Sequence, residues 1–399
     1  MAERAKKPFD LFLVAGEASG DALGAPLIAA LREQLGGDVR FRGVGGAAMQ
    51  AAGLSSLYPM QDLTAMGINA VLAKIPLILR RLRETAAAVS AAPPDLLVLI
   101  DSPDFNQRVA RRVRRALPGL PIVKYVAPTI WVWRSGRAKA MLPHIDHVLA
   151  VLPFEPDVYK RFGGPPCTYV GHPLLQRLGD LRPSPEDKAA RNAEPPLVVV
   201  LPGSRHSEIS RLGKVFGEAL ARVANGRAGI DFVLPTLPHL AGEIEQAIAA
   251  WPVRARIVTT EDEKFAASRR ARAALAASGT VTLELALAQV PMVAGYRVSL
   301  VEGAILRRAI RSPSTILPNL ILGENFVPEF HQENCTAENL AAALVPLLED
   351  GMARERQLDA FARLDGAMSI GQETPSALAA RVAIETYETK TGRRVRFDA

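Results

Sequence analysis

Cysteine is almost absent. Cys167 and Cys335 are the only two in 399 residues and lie far apart, which leaves neither a disulfide framework nor a cysteine zinc cluster and fits a reducing compartment. Also missing is any run of about eighteen uninterrupted apolar residues, so a membrane-spanning helix is not expected. Lys6 and Lys7 ahead of "LFLVAG" imitate the start of a secretory signal, but Asp10, Glu17 and Asp21 break the pattern and export is not expected either. No low-complexity tract dilutes a hydrophobic content of 49%, which places the chain among folded globular proteins of two or three units.

What is in excess is positive charge. The net charge is +7 and the sequence pI about 9.6, a balance that favours acidic partners such as nucleotides, nucleic acid or anionic lipid. In "FNQRVARRVRRAL", Phe105, Val109, Val113 and Leu117 share one helix face while Arg108, Arg111, Arg112, Arg114 and Arg115 take the other. That face is either a solvated surface or a binding surface.

From residue 9 to about 170, short apolar runs alternate with helical patterns: "LFLVAG", "DLLVLID", "PIVKYV" and "HVLAVL" read as buried strands of a parallel sheet covered by helices. The stretch 172–196 carries five prolines and many charges and reads as an interdomain linker. After it the pattern restarts with "LVVVLPG", "GIDFVLPT", "ARIVTT", "ARAALAASG" and "PMVAGYR", and the last fifty or so residues read as mostly polar helices. Two open α/β domains in series place their chemistry in the loops after strands, and the two sets of carboxyl ends are expected to face a shared cleft.

Those loops are informative. "GEASGDALG", Gly16 to Gly24, joins strand to helix with small residues, a place suited to anions at a helix start. It fits neither the dinucleotide fingerprint nor a Walker loop. Asp21 reads as a cap, while Glu17 has no structural explanation. In "VLIDSPDFN", Asp104 with Gln107 has the form of a capping box, and Ser102 before Pro103 is an alternative cap. Asp101 is left at the strand end, where a carboxylate can act as general base. Trp131 and Trp133 in "APTIWVWRSGRAKAM" line a pocket beside Arg134, or they are core. His144 and His147 in "HIDH" have the look of a ligand pair, but they precede a strand and read as ordinary histidines, so no metal is expected. In the second half, Gly203, Ser204 and Arg205 follow one strand, and Ser278, Gly279 and Thr280 open a helix with Glu284 one turn in. Two such loops in one domain favour a nucleotide diphosphate, with the Glu284 carboxylate placed to accept ribose hydroxyls.

Taken in order, "GEASGD", "DSPDFN", "YVAPTIWVWR", "LPFEP", "YVGHPL", "LPGSR", "ASGT" with Glu284, "PMVAGYR" and "LPNLILGENFVPEF" closely resemble the lipid-A-disaccharide synthases, bacterial glycosyltransferases of family 19. The resemblance implies an α/β, GT-B-like glycosyltransferase fold, with two Rossmann-like domains facing a central cleft. It implies domains at 1–172 (acceptor and membrane side), a linker at 173–196, a UDP-sugar domain at 197–345, and helices at 346–399 that cross back to the first domain or to a partner subunit. The implied reaction is inverting: UDP-2,3-diacylglucosamine and 2,3-diacylglucosamine 1-phosphate (lipid X) give the β(1→6) lipid A disaccharide 1-phosphate and UDP, in lipopolysaccharide synthesis. No cofactor beyond the UDP-sugar substrate is implied, and no nucleic-acid partner. Asp101 matches the family's catalytic aspartate, with Glu17 as the second candidate base. Arg205, Glu284 and Asn319 match its UDP side, where Gly203, Ser204, Ser278, Gly279, Thr280 and Tyr296 are also expected. Gly20, Asp21, Trp133 and Arg134 are expected at the acceptor side or cleft.

Members are peripheral membrane enzymes, often dimeric, so a homodimer on the cytoplasmic face of the inner membrane is the expectation. The stretch Met66 to Arg83 offers Ile68, Val71, Leu72, Ile75, Leu77, Ile78 and Leu79 followed by Arg80, Arg81 and Arg83, a composition suited to an interfacial patch on anionic lipid. Three positions depart from the family pattern: Ala127 stands where Ser is common, "GEN" where Gly-Arg-Glu is common, and His331 where an aliphatic residue is usual. The nearest rivals are other UDP-sugar enzymes of the same fold, a peptidoglycan N-acetylglucosaminyltransferase or a UDP-N-acetylglucosamine 2-epimerase.

Overall fold

The computed structural model describes residues 8–64, 68–131, 136–226, 229–299 and 314–395, and only the backbone of residues 68–73. The chain forms two compact units, Met1–Leu175 with Ile370–Ala399, and Gln176–Ser369.

The first unit is built on a fully parallel seven-stranded sheet. Its strands are β1 (Phe9–Ala15), β2 (Val39–Val44), β3 (Ser55–Ser56), β4 (Leu96–Ile100), β5 (Ile122–Tyr125), β6 (His147–Ala150) and β7 (Cys167–Tyr169), in the order β3-β2-β1-β4-β5-β6-β7. Strand pleating sends alternate side chains to opposite layers. Leu11, Leu13 and Ala15 pack with Leu27, Ile28 and Leu31 of helix Ala18–Leu35 and with Leu378, Ala379 and Val382 of helix Pro375–Thr391. Phe12 and Val14 pack on the other side with Leu82, Ala86 and Val89 of helix Ile68–Ala91 and with Val109, Ala110 and Val113 of helix Pro103–Ala116. Burial on both faces is why these strands read as unbroken apolar runs.

The second unit repeats the plan with six parallel strands. These are β8 (Leu197–Leu201), β9 (Asp231–Pro235), β10 (Ala255–Val258), β11 (Ala273–Ala277), β12 (Met292–Tyr296) and β13 (Glu329–His331), in the order β10-β9-β8-β11-β12-β13. The proline-rich stretch before it is not slack. It holds helices Leu178–Leu181 and Pro185–Arg191, and the buried Arg191 guanidinium donates to the carbonyls of Ser268, Arg269, Ala288 and Gln289, which close the ends of two helices.

In each sheet the strand order reverses between the first and fourth strands, β1 beside β4 and β8 beside β11. Helices leave such neighbouring strands to opposite faces, and the space outside their carboxyl ends is where open α/β sheets take ligands.

Candidate active site

In the first unit the reversal brings the loops after β1 and β4 together. Gly16, the residue after β1, lies so close to Ser102 that a Cβ there would stand 2.5 Å from Ser102 Oγ. Glu17 is the exposed N-cap residue of helix Ala18–Leu35. Gly20 is buried behind Asp101, its own Cβ position 3.5 Å from that of Asp101. Asp101 is half-buried and accepts a hydrogen bond from Ser19 Oγ at 2.7 Å. Thus Glu17, Ser19 and Asp101, remote in sequence, sit at the carboxyl ends of adjacent strands.

The bend at Asp101 is unusual. Asp101 and Ser102 have φ of 49° and 41°, a left-handed conformation that costs a non-glycine residue about 1–3 kcal/mol and persists only where surroundings enforce it. Asn106, fully buried, donates through Nδ2 to the carbonyls of Ile100 (2.9 Å) and Asp101 (2.9 Å). Lys124, buried in β5, donates to the carbonyls of Asp101 and Tyr125. Burial pulls the Lys124 ammonium down to about 7, against the charges of Asp101 and Glu17, which raise it.

Two local expectations are corrected. Helix Pro103–Ala116 has no capping box: its N-cap is Ser102 without a side-chain cap bond, and Asp104 instead pairs with Arg137 at 2.7 Å. Asp21 does not cap its own helix. Its buried carboxylate accepts from the backbone N–H groups of Gly46 (2.8 Å), Ala48 (3.0 Å) and Met49 (3.0 Å), so it holds the turn after β2. Trp131 packs edge-to-face on Phe154, whereas Trp133 and Arg134 lie outside the described residues. His147 bonds Thr168 at 2.8 Å, and no group of three His, Cys, Asp or Glu side chains converges as a metal site among the described residues.

In the second unit the reversal sets the loops after β8 and β11 at the ends of neighbouring strands. Gly203 has a φ of 132°, and a Cβ there would meet Glu208 Cβ at 2.4 Å; only glycine fits. The Glu208 carboxylate accepts from Ser204 N (2.9 Å) and from Arg205 Nη1 (3.0 Å), and Arg205 is otherwise three-quarters exposed at the N-cap of helix His206–Asn225. After β11, Ser278 and Gly279 lead into helix Thr280–Leu287. Glu284 takes Lys264 on Oε2 at 2.7 Å, and its buried Oε1 has no donor among the described residues. Ser278 Oγ lies 3.2 Å from Thr315 Oγ1, and Thr315 donates to Glu329, which also holds His331 at 2.8 Å. The Tyr296 and His331 rings meet edge to face, centroids 6.0 Å apart. The buried Asn319 amide bonds the backbone of Phe326 and Val327, shaping that turn from within.

The family model for lipid-A-disaccharide synthetase matches residues 11–381. The chain belongs to the lipid-A-disaccharide synthase family. Lipid-A-disaccharide synthases of Nitrobacter hamburgensis and Rhodospirillum centenum are 56% and 43% identical to it, the first alignment covering 96% of each chain and the second 95% of this chain and 94% of the relative. With membership comes the family's activity, UDP-sugar-dependent glycosyl transfer in lipid A biosynthesis. Solved structures agree on the GT-B fold: MurG of Acinetobacter baumannii (TM-score 0.57, 14% identity, 95% of this chain and all of that one) and the glycosyltransferase CalG4 (TM-score 0.58, 16% identity, 97% and 100%). A Staphylococcus aureus MnaA–UDP structure has the same fold (TM-score 0.62, 11% identity, 96% and 98%).

Reading the sequence missed Ser19, Asn106 and Lys124 in the first unit and Glu208, Lys264, Thr315 and Glu329 in the second. Lys124 alone carried a signal, a charge inside the apolar strand "PIVKYV". Because Asp21 serves three backbone donors, Asp21→Ala should cost about 3 kcal/mol of stability, measured by denaturant unfolding, and leave UDP affinity of the folded fraction unchanged.

Proposed function

We propose that this chain joins UDP-2,3-diacylglucosamine to 2,3-diacylglucosamine 1-phosphate with Asp101 as general base. The observation that carries the assignment is the Asp101 bend: a carboxylate held in a strained conformation at the strand-order reversal, with the Ser19 hydroxyl bonded to it. In the step itself the acceptor 6-hydroxyl oxygen bonds to the anomeric carbon as the bond from that carbon to the UDP oxygen breaks. The hydroxyl proton passes to Asp101, and the bonding pair leaves with UDP.

On the donor side, the Arg205 guanidinium and the amide end of helix Thr280–Leu287 suit the diphosphate and offset the charge that develops on it. The unpartnered Oε1 of Glu284 is the acceptor left for a ribose hydroxyl. Glu17, at the end of the neighbouring strand, is the second carboxylate of this end of the sheet.

Both proposed substrates carry acyl chains, so we place the enzyme on the bilayer surface, at the cytoplasmic face of the inner membrane. No helix among the described residues is long and apolar enough to cross a membrane. Helix Ile68–Ala91 supports surface contact through Ile75, 41% exposed, and through exposed Arg80 and Arg83, with Leu77, Ile78 and Leu79 half-buried. Arg81 drops out of that patch, since it is bound to Asp62 and Glu84 and stacked over Tyr58. Ile68, Val71 and Leu72 have side chains outside the described residues.

Two measurements follow. Asp101→Asn should bind UDP normally in calorimetry yet turn over about 10²- to 10⁴-fold more slowly in release of UDP and disaccharide; near-normal turnover removes Asp101 as base. Ile75→Ser combined with Ile78→Ser should reduce sedimentation with phosphatidylglycerol vesicles while the circular dichroism spectrum stays unchanged, and undiminished sedimentation excludes the patch.

A further inference from the structure

Lys124 occupies a place that the fold would fill with an apolar residue. It is the third residue of β5, a strand paired on both sides, opposite Leu99 of β4 and Val148 of β6. Ile122, two residues earlier and on the same face, lies in the apolar layer with Leu99, Val109 and Val148. A buried ammonium there opposes folding by several kcal/mol of lost hydration, on the order of what any desolvated ion costs. Among the described residues no carboxylate hydrogen-bonds it: its two acceptors are main-chain oxygens, those of Asp101 and Tyr125.

Neither oxygen needs it. The Asp101 carbonyl keeps Asn106 Nδ2 at 2.9 Å, and the Tyr125 carbonyl keeps the Asp101 N–H at 2.9 Å. A buried charge that satisfies no otherwise orphaned group is unaccounted for by stability. What it does touch is the left-handed bend that presents the Asp101 carboxylate, and the charged groups that act on it are Asp101 and Glu17, at the ends of β4 and β1.

We infer that Lys124 is a positioning residue for Asp101: its buried ammonium fixes the left-handed Asp101–Ser102 bend from behind and sets a positive charge against the carboxylates at the ends of β1 and β4. The inference rests on the reading of Asp101 as base. It acts through Asp101 and not on substrate, so it belongs to kcat. It also makes the enzyme sensitive to alkali. With burial holding Lys124 near 7, the proton is lost as pH rises through neutrality, and the grip on the bend weakens with it.

The test is Lys124→Met, which keeps the stem and removes the charge, with Lys124→Gln as a second variant that keeps an N–H donor should Met not fold. We expect the melting temperature at pH 7 to be unchanged or raised, since a desolvation cost disappears and no carbonyl is orphaned. UDP affinity and donor KM should stay within threefold of wild type, while kcat falls about 10- to 100-fold. Wild-type kcat should decline above about pH 7, and that decline should be absent from the variant. Wild-type kcat in either folded variant overturns the inference, as does a lowered melting temperature accompanied by lost UDP binding, the mark of a purely structural lysine. Asp101→Asn measured alongside separates the two readings. If it is active, the base assignment fails and the inference falls with it; if it is inactive while Lys124→Met is active, the inference alone fails.

Discussion

The reversal of strand order in a parallel sheet is the constraint from which the rest follows. Where β1 lies beside β4, and β8 beside β11, the outgoing helices part to opposite faces and leave backbone ends with space outside them. Side chains remote in sequence meet there because the sheet pairs their strands: Ser19 reaches Asp101 over 82 positions. The same constraint explains the close approaches. Gly16 must lack a side chain for the first loop to pass Ser102, and Gly203 must lack one for its loop to fold over Glu208. In both units the loop is tight because the strands before it are neighbours.

Buried charge is distributed over these units with two different purposes. Arg191, Arg272 and Arg354 are each nearly inaccessible and each donates to carbonyls where helices or strands end, so their forks complete hydrogen bonds that the fold would otherwise leave open. Asp10 is buried as well, and Arg40 and Arg42 of β2 outweigh its burial and hold its carboxyl below the usual range. Such groups are anchors. Lys124 belongs to neither pattern, because its acceptors have other donors and its counter-charges lie at the sheet end where the chemistry is placed.

How much of this could be read from sequence depends on what each feature requires. Strands buried on both faces announce themselves as apolar runs, and β1, β4, β5, β6, β8 and β11 were legible for that reason. β2 was not, because Arg40 and Arg42 interrupt "VRFRGV" and their charge is cancelled only by Asp10 from another strand. β13, three half-buried residues long, has too little pattern to see. At the site, Asp101 stood out because an acid ended an apolar run. The family resemblance put Asp21 and Asn319 among the site residues, and the backbone turns that their side chains hold could not be read from sequence, since hydrogen-bond partners are set by tertiary geometry. The apparent capping box at Asp104 failed for the same kind of reason: the left-handed Ser102 aims the chain so that Asp104 meets Arg137 instead.

Fold and chemistry are separately informative here. Structures that share 11% to 16% identity with this chain match it over nearly its whole length, so the fold is a scaffold that very different sequences can build; what each protein does is decided by the side chains of its site. His331 illustrates how such a choice is tuned. It brings a ring nitrogen to Glu329, whose carboxylate holds Thr315, whose hydroxyl in turn lies 3.2 Å from that of Ser278. Without the imidazole, the Glu329 carboxylate would keep Thr315 and Ser314 as hydrogen-bond partners. A side chain on β13 is thereby linked, through Glu329 and Thr315, to the hydroxyl of Ser278 beyond the end of β11.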